Sequence, residues 1–454
     1  MSVDLDLIRK YNVPGPRYTS YPTAPHFSED INGEAVRAAV SERSESLGPL
    51  SLYFHIPFCE TLCWYCGCTT VIGKNKGQTE IYLDHLCMEI EKKARGIHPE
   101  REVVQLHFGG GSPTFLTPDE IRRLGQCIAD NFRFSPFIEA AVEVDPRRLT
   151  REHVEALAEA GFNRASIGVQ DNDPKVQKAV NRFQPMAITE QAIGWLREVG
   201  IESINIDLIY GLPYQSVESF ARTLEEVLTL EPDRFAIYSY AHVPWIKPSQ
   251  KILERHNLPS AEVKLALQKL TIEKLTASGY LYIGMDHYAK ADNELARAWQ
   301  EGSLQRNFQG YSTFGGADIY GFGMSSISQI GDVYVQNAKL LEDYYAAVRA
   351  DDFPVHKACL LSIDDQLRRE TIMRLMCDTY LDFDELSEHL GVDFRTYFAR
   401  ELASLDDMVE DALILVDPHG ITVTDQGRLL LRNIAMRFDA YLQHAQPAGF
   451  SRTI

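Results

Sequence analysis

Six short runs rich in β-branched and aromatic residues, 51–58, 103–108, 138–144, 164–169, 203–209 and 234–240, alternate with stretches of helical period. The helical stretches fall at 79–93, 118–131, 151–160, 187–199 and 216–230. Strands joined through helices return to the same end of a sheet, so this series predicts an α/β fold with a parallel sheet. Six units suit an open three-quarter (β/α)6 barrel better than a closed eight-stranded one. The chemically notable residues gather where the strands end. A cysteine loop follows strand one, Gly109-Gly-Gly-Ser follows strand two, and Glu143-Val-Asp-Pro closes strand three. Gln170 follows strand four, Asp207 ends strand five and Tyr240-Ala-His closes strand six. Active sites of such folds form along that edge, so an enzyme is expected.

The loop after strand one reads His55-Ile-Pro-Phe-Cys-Glu-Thr-Leu-Cys-Trp-Tyr-Cys-Gly-Cys. Cys59, Cys63 and Cys66 have the spacing CxxxCxxC, which can wrap one face of an iron–sulfur cube. A [4Fe–4S] cluster ordinarily takes four thiolates. With three ligands from this loop, one iron stays open to a molecule that is not protein. The loop resembles the signature of the radical S-adenosylmethionine (SAM) enzymes, whose chemistry needs that open iron. A structural zinc knuckle is the competing reading, but it calls for a second thiol pair. Cys87, Cys127, Cys359 and Cys377 are scattered singly and read as buried packing thiols. Cys68 lies outside the CxxxCxxC triad, and a fourth ligand is its bland alternative.

The chain of 454 residues is 45% hydrophobic and 24% charged, ordinary for a globular protein of more than one domain. A net charge of -19 disfavours a nucleic-acid or anionic-membrane surface. The start, Met1-Ser-Val-Asp-Leu-Asp-Leu-Ile-Arg-Lys, lacks a secretion signal, and no apolar run spans a bilayer. Clustered thiols without such a signal suit a reducing cytoplasm. Four regions are expected: an irregular, Tyr- and Pro-rich arm or lid (1–50), the partial barrel (51–250), a barrel extension and connector (251–354), and a C-terminal helical domain (355–454). Helix 264–277 and strand 280–285 open the extension, and no clear period follows from 286 to 324. The last region has helical patterns at 362–376, 382–390, 394–402 and 427–442 with a hairpin at 413–423, a winged-helix-like outline. Its acidic excess disfavours DNA as a partner.

Gly109-Gly-Gly-Ser112 lacks the endings of a Walker or dinucleotide loop, so close backbone approach to a methionine amino group and carboxylate is the better reading. Asp145 precedes Pro146-Arg147 and is expected to cap the next helix. Strand alternation turns Glu143 inward, where ribose hydroxyls or an amino group would partner a buried carboxylate. Gln170, Arg182 and Asp207 follow the same argument. His55 sits beside the cysteine loop, where a hydrogen-bonded core histidine is the default. With Cys68 it is a candidate catalytic side chain, although neither it nor His107, His242 or His287 is assigned as a base. Tyr53 and Tyr65 flank the loop.

Together these motifs resemble the oxygen-independent coproporphyrinogen III dehydrogenase family of haem synthesis. The likeness runs from Tyr11-Asn-Val-Pro-Gly-Pro-Arg-Tyr-Thr-Ser-Tyr-Pro-Thr to Phe450-Ser-Arg. It passes through Gly161-Phe-Asn-Arg, Gly168-Val-Gln-Asp, Asn205-Ile-Asp-Leu-Ile-Tyr-Gly-Leu-Pro, Gly284-Met-Asp-His and Arg306-Asn-Phe-Gln-Gly-Tyr. The resemblance implies a [4Fe–4S] cluster on Cys59, Cys63 and Cys66 and two SAM molecules in one site. By its motifs the first SAM meets Tyr53, Gly110, Glu143 and Ile327. The second meets Gly111, Ser112, Gln170, Arg182, Asp207 and Ala241, with Tyr65, Cys66 and Gly67 passing alongside. The implied reaction converts two propionates of coproporphyrinogen III to vinyls, with loss of CO2, in the cytoplasm. It needs a flavodoxin- or ferredoxin-like electron donor and an electron acceptor that the sequence does not identify; a monomer is expected. Substrate propionates need cationic partners, for which Arg17 and Arg306 are the candidates. The alternative is a haem-delivering chaperone that shares the loop; such paralogues carry an aromatic at the position of Cys68 and lack the Tyr-rich head.

Overall fold

The computed structural model describes residues 4–73, 75, 77–350, 353–443 and 450–453. The six expected strands are β1 (Leu50–Ile56), β2 (Glu102–Gly110), β3 (Arg133–Val144), β4 (Arg164–Gln170), β5 (Ser203–Tyr210) and β6 (Arg234–Ser239). Each pairs parallel with the next, and the sheet stays open. Helices α1 (Gly77–Ala94), α2 (Pro118–Ala129), α3 (Arg151–Glu159), α4 (Met186–Glu198) and α5 (Val217–Leu228) fill the crossovers. Their starts are set locally. Thr117 and Glu120 form a reciprocal cap on α2, and Thr150 caps α3 by accepting from the His153 N–H.

Strand alternation then divides the side chains. Along β5 the buried residues are Ile204, Ile206 and Leu208, under the helices, while Ser203, Asn205 and Asp207 face the concave side. β1 is buried along nearly its whole length, with Phe54 stacked on Phe322 at 4.7 Å.

The sheet exceeds the six-strand expectation. β7 (Tyr280–Gly284) and β8 (His287–Lys290) extend it beyond β6. On the other side β9 (Asp318–Phe322) pairs parallel with β1, followed by antiparallel β10 (Ile327–Ile330), β11 (Val333–Asn337) and β12 (Val355–Leu360). The stretch without period therefore contains strands, β8 and β9 among them. Every residue of β9 is buried, as is every residue of β11, and a strand covered on both faces shows no alternation. β12, which begins at the boundary expected at 355, pairs within this sheet.

Two further expectations need correction. The arm is not wholly irregular: it contains helices Leu5–Tyr11 and Gly33–Ser41, capped by Asp4 and Asn32. Of the scattered thiols only Cys377 is buried, while Cys87, Cys127 and Cys359 are half-buried. The C-terminal region has helix Ile363–Asp378, several short helices, and a three-stranded sheet in which the expected hairpin is joined by Tyr380–Asp382. The pattern at 427–442 is broken into short turns around Leu431–Ala435 rather than one helix. No helix of the described residues is long and apolar enough to cross a membrane.

The arm is held by the C-terminal region. The Tyr18 hydroxyl donates to Asp439 at 2.8 Å, and Arg432 donates to the carbonyls of Gly15, Pro16 and Thr453 at 2.5, 3.0 and 3.1 Å. The Thr453 N–H donates to the Val13 carbonyl at 2.8 Å, and the Gly15 N–H donates to the Ser451 carbonyl at 3.1 Å. Tyr18→Phe removes a buried bond to a carboxylate, and should speed tryptic cleavage after Arg17 by about tenfold, as expected for a loss of about 1.5 kcal/mol in local stability. Unchanged cleavage would show that this bond does not hold the arm.

Candidate active site

The cysteine loop is pinned between two short parallel segments, Phe58–Cys59 and Val71–Ile72, just beyond the end of β1. Its sulfurs are surrounded by donors. Arg147 and Arg182 reach the Cys63 sulfur at 3.7 and 3.8 Å, and the Cys68 N–H reaches the Cys66 sulfur at 3.4 Å. The Cys68 thiol, the Cys68 N–H and the charges of Lys247 and Arg182 pull the Cys66 thiol down to about 6. Burial, then the neighbouring Cys66 and Cys63, push Cys59 up to about 12. Cationic and N–H donors around sulfur are what anionic thiolate ligands require. Among the described residues no three His, Cys, Asp or Glu side chains converge on one metal ion. Three thiols on one loop, with guanidinium and N–H donors at the Cys63 and Cys66 sulfurs, fit anionic ligands to a cluster.

Asp145 is not a helix cap, since Thr150 caps α3. It accepts from Arg147 at 2.5 Å and faces Arg182 at 3.4 Å. Burial alone would raise its pKa, yet the Arg182 charge and the Arg147 bonds hold it at about 2. Arg182 also donates to the Gly168 carbonyl at 2.6 Å. Its Nε is buried without a partner.

Glu143 and Asp207 both line a concave cavity of about 200 Å³, together with His107, Ser166, Asn205 and Tyr238. Glu143 is less enclosed than expected, its side chain being 43% exposed to the opening. It accepts from the Gly110 N–H at 3.1 Å and contacts His107 Nε2 at 3.3 Å. Against the cost of burial, the His107 contact and the Gly110 N–H keep its pKa below the ordinary carboxylate value. Asp207 accepts from Ser166 and Asn205 at 2.9 and 2.8 Å. Burial raises it to about 6, with the Glu143 charge adding to the effect.

The glycine run is explained by packing against protein. A Cβ on Gly109 would sit 2.8 Å from Glu143, one on Gly110 2.5 Å from the His55 ring, and one on Gly111 2.5 Å from the Pro57 carbonyl. Ser112 is buried beside Thr114 at 3.2 Å. His55 Nδ1 meets the Tyr53 hydroxyl at 3.1 Å and its Nε2 the Thr69 carbonyl at 2.9 Å. Both ring nitrogens are engaged, burial lowers its pKa, and its ring packs against Gly110, so it braces Tyr53, Thr69 and Gly110 as a hydrogen-bonded core histidine does. Tyr53 stacks on His107 at 5.7 Å.

Gln170, at the end of β4, has a left-handed φ of 71°, a strained conformation that sequence reasoning missed and that commonly marks a functional position. Ile327 begins β10, and Ala241 follows β6. Tyr65 packs against the buried cluster of Val176, Val180, Leu212, Tyr240 and Leu253, while Gly67 and Cys68 are exposed. Arg17 pairs with Asp286 at 3.1 Å. Arg306 is buried, donating to the Tyr18 and Arg17 carbonyls at 3.0 and 3.3 Å. The two arginines are thus brought together, with Tyr238 and Tyr311 beneath them.

Asp207 generates a pH signature. A carboxyl raised on folding contributes stability that is complete below about pH 4 and lost as the pH rises through about 6. Asp207→Asn should therefore gain on the wild type across that window by roughly 3 kcal/mol, read from thermal melts of cluster-free protein. A stability difference flat from pH 4 to 7 would show that the carboxyl is not raised.

Comparison with known proteins accounts for this arrangement. Residues 53–227 match the radical SAM superfamily and residues 361–430 the HemN C-terminal domain. The oxygen-independent coproporphyrinogen III oxidase of Salmonella typhimurium is 46% identical over 452 residues, covering 99% of this chain and 98% of that protein. That of Pseudomonas aeruginosa is 45% identical over 453 residues, with the same coverage of 99% and 98%. The solved structure of Escherichia coli coproporphyrinogen III oxidase (HemN), a radical SAM enzyme, superposes with a TM-score of 0.93 at 44% identity, covering 97% of this chain and 100% of that one. With likeness spanning both chains end to end, and with the thiol loop at the open edge of the sheet, the chain belongs to the oxygen-independent coproporphyrinogen III oxidase family.

Proposed function

We propose that this protein decarboxylates coproporphyrinogen III oxidatively to protoporphyrinogen IX without oxygen, using two SAM molecules, in haem synthesis. The observation that carries the reading is the Cys59, Cys63 and Cys66 loop, its Cys63 sulfur flanked by Arg147 and Arg182, at the strand edge where Glu143 and Asp207 converge. Those three cysteines would hold a [4Fe–4S] cluster. When bound, the group would supply one-electron removal of a hydrogen atom from a propionate β-carbon, the chemistry from which loss of CO2 and one electron would leave a vinyl.

The chain's own residues bind, orient and shield. Glu143, ionised and already accepting the Gly110 N–H, suits the ammonium of a methionine moiety. Tyr53, Gly110 and Ile327 would complete that first site. Asp207, which accepts from two neutral donors, suits ribose hydroxyls of a second SAM beside Gly111, Ser112, Gln170, Arg182 and Ala241. Tyr65, Cys66 and Gly67 would pass along both. Cys68, exposed and hydrogen-bonded to the Cys66 sulfur, stands outside the ligand triad as the candidate catalytic thiol. Arg17 and Arg306 would face substrate carboxylates. The reading includes a flavodoxin- or ferredoxin-like donor, a separate electron acceptor, a monomeric state and a cytoplasmic setting. The arm, residues 1–50, would cover the substrate, with 51–250 as barrel and the rest as extension and C-terminal domain.

Replacing Cys59, Cys63 or Cys66 with Ser should abolish the broad iron–sulfur absorbance after anaerobic reconstitution. Cys68→Ser should retain it and slow turnover; loss of the cluster would make Cys68 a fourth ligand.

The reduced wild-type protein should release two 5′-deoxyadenosines and two CO2 per protoporphyrinogen IX. Stoichiometric haem binding with no vinyl product, with donor and acceptor present, would transfer the reading to a haem chaperone.

A further inference from the structure

In a chain of net charge -19, one region at the mouth of the sheet has the opposite balance. Arg17 from the arm, Lys264 from the helix Ala261–Ala277, Arg306, Arg432 and Arg452 from the tail influence one another there. Asp286 is the carboxylate that answers them, at 3.1 Å from Arg17. Arg432 is committed to backbone carbonyls of both ends of the chain, and burial followed by the Arg17 charge lowers it to about 9.

Three cationic groups remain available. Arg306 is 9% exposed, and its Nη1 is buried without a partner. Lys264 makes one long bond, 3.3 Å, to the Tyr240 carbonyl. Among the described residues no carboxylate lies within ion-pairing distance of Lys264 or of exposed Arg452. Lys264 is placed by the fold, because its stem crosses Gly211 just after β5, where a Cβ would lie 2.9 Å from Lys264 Cε. Its Nζ thus reaches Tyr240, just after β6. Burial, then Arg17 and Arg452, lower the Lys264 pKa, so Lys264 sits near enough to Arg17 and Arg452 to be repelled by both. Unpaired cations near one another are costly unless an anion joins them.

We propose that Lys264 and Arg452, together with Arg17 and the free Nη1 of Arg306, form a clasp that binds the carboxylates of the two propionates the reaction leaves intact. The proposal deepens the porphyrinogen reading and rests on it. A tetracarboxylate from which two carboxyls leave needs its other two anchored away from the radical chemistry, so that each reacting propionate can be presented in turn. Cations with few internal partners suit that task. The tail pairs with Val13 and Gly15, and Arg432 grips both ends, so the clasp is complete only when arm and tail are docked together.

The test is equilibrium titration of the cluster-reconstituted protein with coproporphyrin III, the unreactive oxidised tetracarboxylate, followed by fluorescence. Lys264→Gln and Arg452→Gln should each weaken binding about tenfold, as loss of a charge-assisted carboxylate contact predicts. Lys269→Gln, on the same helix but paired with Glu273, should bind as the wild type does. Iron content and cluster absorbance report folding, and Arg452, near the chain end, tests the idea if the Lys264 variant misfolds. Wild-type affinity in the folded variants, or an equal loss in Lys269→Gln, would overturn the clasp. A wild type that binds coproporphyrin through these residues but makes no vinyl product would leave the clasp standing and sink the enzymatic reading.

Discussion

Parallel pairing along β1 to β6 is the constraint on which the rest of this protein depends. Parallel neighbours cannot be joined by a hairpin, so every strand is followed by a crossover that starts from the same edge. The thiol loop, the glycine run, Glu143, Gln170 and Asp207 are carried to one rim for that reason, although more than a hundred residues separate the first from the last. Register does the remaining work. With side chains alternating at a period of two, the same pairing that buries Ile206 and Leu208 under helices turns Asn205 and Asp207 inward. A slip of one residue would bury the carboxylate and empty the site.

Charge at that rim is arranged in compensating layers. Arg147 and Arg182 sit between the Cys63 sulfur and Asp145, and so can answer either a thiolate or a carboxylate. Asp145 keeps the pair of guanidiniums from repelling each other apart, and its depressed pKa expresses that service. Glu143 and Asp207 share one cavity but differ in their donors. His107 and a backbone N–H hold the first ionised, while neutral Ser166 and Asn205 leave the second raised by burial. Two carboxylates in one cavity are thereby prepared for different partners.

The two ends of the chain are tied to each other. Arm and tail pair with each other, and Arg432 in the C-terminal region holds the carbonyls of both. Arg306, from the segment between β8 and β9, adds the carbonyls of Arg17 and Tyr18. An arm too polar and proline-rich to form a core is thus ordered through its backbone carbonyls, with Tyr18 and Tyr21 fully buried as its apolar anchors.

Periodicity and spacing were enough to reveal the six parallel units, the thiol loop and the alignment of polar residues with strand ends, because those features are local. Helical and extended periods are written within about ten residues, and CxxxCxxC within eight. Strands β9 and β11 were not legible, since burial on both faces erases alternation and the parallel partner of β9 lies far away in the chain. The role of His55 was also undetermined: only folding brings Thr69 and Gly110 against its ring and shows that it braces the loop. Asp145 looked like a cap because a proline and arginine follow it, yet Arg182 from a later segment made it an ion-pair partner. Sequence alone determined which chemistry the chain can carry. Tertiary structure decided which charged groups meet, because contacts between distant segments depend on how the whole sheet closes around them.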